Sequence, residues 1–80
     1  MIPLYGFLEG DTIGLLILAD EGDSASVLAQ KLQVSAQVRL KPRAKVVLLH
    51  NGRTLEPHTT VEQARMEALD RFDVVEARAK

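Results

Sequence analysis

The side chains here that could do chemistry are few: two histidines, His50 and His58; three neighbouring acids, Glu67, Asp70 and Asp73; and a basic run, Arg39, Lys41, Arg43 and Lys45. Neither histidine has a second histidine or a cysteine at the spacing that closes around a metal ion. His50 is therefore expected to be a strand-end residue beside a turn, and His58 a loop residue. The acids could move protons only inside a cleft that shifts their pKa values, and a chain of 80 residues has little material to enclose one. They are expected to form a solvated turn and a charged strand position. The basic run could be an anion-binding edge. It also fits a solvated connection entering an edge strand, where basic side chains and Pro42 discourage pairing with other chains. No aromatic residue interleaves the bases, as nucleic-acid surfaces usually require, and this favours the second reading.

There is no cysteine, which rules out disulfides, thiolate metal sites and cysteine nucleophiles and suits a reducing cytoplasm. There is no glycine-rich phosphate loop either, so no catalytic, cofactor-binding or metal-binding residue is expected. The formal net charge of −1, with acids and bases interspersed, gives no field for nucleic acid or an anionic membrane. The apolar run Ile13 to Ala19 is too short to cross a bilayer, and Met1-Ile2-Pro3-Leu4-Tyr5 lacks a basic leader. These features predict a soluble cytoplasmic protein, with one domain over residues 1–77 and a short tail at 78–80.

Whatever the chain does must then be done by a surface, which depends on how its elements are arranged. Met1 to Leu8 and Thr12 to Ala19 read as two strands of a hairpin joined through Glu9-Gly10-Asp11, with glycine where the turn needs positive φ. Ile13, Leu15 and Ile17 point to one face of the second strand, and Leu16 and Leu18 to the other. Ser24 is placed to cap a helix whose stripe is Leu28 and Leu32, with Ala25 and Ala29 in close contact, ending near Gln33 or Val34. Val46 to His50 is a strand ended by the turn dipeptide Asn51-Gly52. Leu55 returns to the core, and Thr60-Val61-Glu62-Gln63 has the pattern of a capping box. Phe72 and Val74 face inward on a last strand, leaving Val75 outward. The predicted core is Ile13, Leu15, Ile17, Leu28, Leu32, Leu48, Leu55, Val61, Met66, Phe72 and Val74.

This order, with one main helix and a short helical turn before the last strand, is α+β and is that of a ubiquitin-like β-grasp with a mixed sheet of four to five strands. Gly10, Thr12, Ile13, Leu15 and Ile17 resemble the first hairpin of ubiquitin, and Gly52, Leu55, Val61, Met66, Phe72 and Val74 its second half. A narrower resemblance is to the small B (gamma) subunits of bacterial toluene monooxygenases. It is carried by Leu28-Ala29-Gln30-Lys31, by Pro42 with Lys45-Val46-Val47, by Thr54-Leu55-Glu56-Pro57 and by Phe72-Asp73-Val74-Val75. The chain departs from that pattern in Ile2-Pro3-Leu4-Tyr5-Gly6 and in Leu48-Leu49-His50. The resemblance implies a non-catalytic accessory subunit of a multicomponent diiron monooxygenase of aromatic compounds, with metal and substrate held by the large hydroxylase subunit.

One feature of the strands exceeds what a core needs: a second apolar face. Leu8, Leu49 and Val75 stand where ubiquitin carries its recognition patch, and Leu16, Leu18 and Val47 add to the same side. These six residues are the expected partner-binding surface, because monomers rarely leave a large apolar patch bare. A second copy of the chain is the alternative occupant. A free-standing adaptor similar to the ubiquitin-like proteins of bacterial secretion systems is the alternative function. A sulfur carrier or covalent modifier is disfavoured, since such relatives end in Gly-Gly and this sequence ends Glu76-Ala77-Arg78-Ala79-Lys80.

Overall fold

The computed structural model describes residues 1–38 and 40–77. The elements are β1 (Ile2–Leu8), β2 (Leu15–Ala19), α1 (Ala25–Ala36), β3 (Val46–His50), β4 (Arg53–Leu55) and β5 (Arg71–Glu76). They form one five-stranded sheet in the order β2-β1-β5-β3-β4. β1 runs parallel to β5 and every other pair is antiparallel. Helix α1 lies across one face, and the core sits between them. The tail expected at 78–80 and Arg39 of the basic run lie outside the described residues.

Local chemistry explains the boundaries. Ser24 caps α1, its Oγ accepting the Val27 N–H at 3.2 Å. The helix runs past Gln33 to Ala36 because both side chains are buried. Gln33 fastens the following connection, donating Nε2 to the Arg43 carbonyl at 3.1 Å and accepting the Arg43 N–H at 2.6 Å. Asn51 and Gly52 have φ of 52° and 77°, as a tight two-residue hairpin turn demands. Thr60 and Gln63 form the reciprocal capping box, each side chain accepting the other's N–H at 3.1 Å. The segment it opens is a single turn, with Ala64 N–H bonded to the Thr60 carbonyl, not a longer helix.

The core is Leu4, Leu8, Ile17, Ala19, Leu28, Leu32, Leu48, Val61, Met66, Phe72 and Val74 with the small residues Ala25, Ala29 and Ala36, and Leu15 and Leu55 pack against it half-buried. Three expectations need correction. Ile13 is half exposed at 50%, because β2 begins only at Leu15. The link from β1 is thus twice the expected three residues, folded on itself by Asp11 N–H to the Leu8 carbonyl and Ile13 N–H to the Asp11 carboxylate. Leu8 is 4% exposed, in the core. Strand β3 is no edge; it lies between β5 and β4, so the basic run leads into the sheet interior and not to its rim.

Candidate functional site

The outer face of the sheet, opposite α1, is the candidate site. Register fixes its composition, because alternate residues of a strand share a face. Across β1 and β2, Tyr5 stands opposite Leu16 and Pro3 opposite Leu18. Towards β5, Tyr5 neighbours Arg71 and Phe7 neighbours Asp73. Beyond β5, Asp73 stands opposite Leu49 and Val75 opposite Val47. The face thus reads as an apolar band on β2 and β1, one charged pair on β5, and a second apolar band of Leu49, Val47 and Val75.

Of the six residues expected here, Leu16 and Leu18 are about half exposed, and Val47, Leu49 and Val75 are half-buried on the same face. Leu8 does not join them. Leu4, Gly6 and Leu8 point to the helix, and Gly6 is required there: a Cβ would lie 2.8 Å from the Phe72 ring and 3.0 Å from Leu32. The odd-numbered residues of β1 therefore face out, and Tyr5 and Phe7 occupy the surface that Leu8 was expected to share.

Phe7 is held from two directions. Its ring tip fills the space a side chain at Gly14 would need, a Cβ there falling 2.5 Å from the ring, and the Arg71 guanidinium lies 4.0 Å above the ring centroid. Arg71 in turn donates Nη2 to Asp73 Oδ1 at 2.9 Å and Nε to both carboxylate oxygens at 3.3 Å. Asp73 raises the affinity of this guanidinium for its proton. The result is an exposed cation oriented by an aromatic ring and a carboxylate, the kind of group that anchors protein interfaces. Sequence reasoning does not reach Tyr5, Phe7, Arg71 and Asp73: both rows of β1 are apolar, and only the packing of Gly6 against Phe72 and Leu32 and the parallel pairing of β1 with β5 bring these four together.

The remaining candidates for chemistry are separated. Asp70 accepts the Glu67 N–H at 3.0 Å and meets His50 Nε2 at 3.1 Å. The Glu67 amide, followed by His50, holds the Asp70 carboxyl below its ordinary value. His50 is buried, so this pair ties the β3 end to the turn before β5. Asp73 belongs to Arg71 and His58 is exposed in its loop. Arg43 reaches Glu9 at 3.5 Å, tying the basic run to the β1 end. Among the described residues no group of three or more His, Cys, Asp or Glu could hold a metal ion, and no helix is long and apolar enough to cross a membrane.

Sheet order, the parallel β1–β5 pair and the crossing helix α1 define a ubiquitin-like β-grasp protein. Residues 1–75 match the family model of toluene-4-monooxygenase system protein B (TmoB), and the chain belongs to that family. It is thus an accessory, non-catalytic component of a monooxygenase system. No curated protein matches it by sequence. Among solved structures it is similar to a chain of the toluene 4-monooxygenase HD complex with the inhibitor 4-bromobenzoate: TM-score 0.87, 20% identity, covering 95% of this chain and 98% of that one. It is also similar to the ubiquitin of Caldiarchaeum subterraneum, with TM-score 0.78, 15% identity and coverage of 98% and 95%. A chain of ATBAG1 in complex with HSP70 gives TM-score 0.78 at 10% identity, over 95% of this chain and 40% of that one.

Proposed function

We propose that this protein docks onto the large hydroxylase subunit of a multicomponent aromatic monooxygenase through the outer face of its sheet, leaving metal, oxygen and substrate to that partner. The supporting observation is the face itself. Tyr5, Leu16 and Leu18 stand more than 40% exposed around a fixed Arg71–Asp73 pair, with Phe7 beneath the guanidinium. Burying such a surface would release apolar area from water and meet one oriented cation. The contact residues are Tyr5, Phe7, Leu16, Leu18, Val47, Leu49, Arg71 and Val75. Residues 1–77 act as one unit, and the setting is the bacterial cytoplasm, which the absence of cysteine suits.

Co-expression with the hydroxylase subunits of a multicomponent aromatic monooxygenase tests the reading. The chain should elute with the large subunit from a sizing column at about micromolar concentration. Separate elution, with hydroxylase turnover unaltered by omission of the chain, would overturn it.

A further inference from the structure

We propose that the open edge of β2, with the groove between it and α1, takes an extended segment of a partner protein as an additional strand. This does not rest on sheet-face docking. It begins with the two edges of the sheet. The β4 edge is three residues long, carries Arg53 and soon bends at Pro57, devices that discourage further pairing. The β2 edge, Leu15-Leu16-Ile17-Leu18-Ala19, has no charge and no proline.

Its free backbone groups can be assigned. Tyr5 and Glu9 donate their N–H groups to Asp70 and Val74 on the β5 side of β1, at 2.9 and 2.8 Å. Backbone groups alternate along a strand, so Leu4 and Gly6 turn theirs to β2, where they stand opposite Ile17 and Leu15. Leu16 and Leu18 therefore direct N–H and C=O to the open edge. Lys31 confirms the direction, its Nζ reaching the Leu18 carbonyl at 3.0 Å while paired with Asp23 at 2.7 Å. That carbonyl keeps a second lone pair.

The side chains around the edge suit a strand with apolar residues on both faces. Leu16 and Leu18 are 55% and 52% exposed on the outer face; Val27 and Val34 of α1 are 38% and 54% exposed on the other. Together with Lys31 they line a groove of about 500 Å³. A second copy of the chain is a poor occupant, because these four aliphatic side chains fall well short of the roughly 800 Å² per partner that a specific interface buries. An extended segment needs less, since backbone hydrogen bonds supply much of its affinity. Asp20 and Glu21 are exposed directly beyond Ala19, so the segment should carry a basic residue at that end.

The probe is an acetylated, amidated octapeptide, Lys-Thr-Val-Ile-Val-Thr-Val-Ser, titrated into the isotope-labelled full chain and followed by NMR. The largest amide shifts should fall at Leu16 and Leu18, with slowed solvent exchange at both. Val34→Asp should weaken binding by about tenfold or more, as should glutamate in place of the peptide lysine. Val34 is exposed, so the variant should fold; Val27→Asp gives the same reading if it does not. No binding, shifts centred on Leu49 and Val75, or unchanged affinity in the folded variants would overturn the proposal. So would a peptide-independent dimer that protects the same two amides.

Discussion

Single atoms decide which residues of β1 face the helix. Gly6 lies against Phe72 and Leu32 with no room for a methyl group, so Gly6→Ala should lower unfolding free energy by about 1–3 kcal/mol, the usual range for overpacking; a denaturant midpoint unchanged at constant slope would contradict the packing. Two carboxylates set the response to acid. The Lys31 ammonium, first, and the Asp20 amide hold Asp23 below its ordinary value, and the Glu67 amide does the same for Asp70. A group whose pKa is depressed on folding contributes stability that is fully present above its unfolded value, about 3.9, and is lost as pH falls through the folded value. The melting temperature should therefore hold with respect to these two groups down to about pH 4 and decline below it. Asp70→Asn should flatten part of that decline, and an unaltered acid slope in this variant would remove Asp70 from the account.

At the scale of elements, caps fix the ends and alternation fixes the faces. Ser24→Ala leaves the Val27 N–H without its side-chain acceptor and should cost about 0.5–2 kcal/mol. Ser24→Gly should cost only a few tenths, and chemical denaturation of both variants checks the difference. Caps and turns were legible in the sequence because each is a local bargain: Ser24 with Val27, Asn51 with Gly52, Thr60 with Gln63. The facing of β1 was not. Leu4 and Leu8 make one row, Tyr5 and Phe7 the other, so both rows are apolar and period-two alternation cannot choose between them. Only the tertiary fit of Gly6 under the helix decides, and it moves Leu8 inward. Ile13 failed for a related reason: the ladder stops at the Gly6–Leu15 pair, and Gly14 is taken up by the Phe7 ring. The end of α1 escaped because no capping glycine marks it: the helix closes at Gln37, whose backbone N–H donates to the Val34 carbonyl. Of the candidate site, the apolar strand positions Leu16, Leu18, Val47, Leu49 and Val75 could be placed from alternation, whereas the Arg71–Phe7 contact requires the parallel pairing of β1 with β5.

For the whole molecule, the helix covers one side of the sheet and leaves the other open, so the proposed docking stands on what that open side does. Tyr5 is its best probe. It is 42% exposed, sits between Leu16 and Arg71, and contributes nothing to the buried core. Affinity for the hydroxylase should be measured for the wild-type chain, for Tyr5→Glu, and for Ser26→Ala, exposed on α1, as a control. Tyr5→Glu should keep its melting temperature within a few degrees and bind about thirtyfold more weakly or worse, as expected when a central aromatic is replaced by a charge. Ser26→Ala should bind as the wild type does. A folded Tyr5→Glu variant that binds the hydroxylase with undiminished affinity would show that the sheet face is not the docking surface.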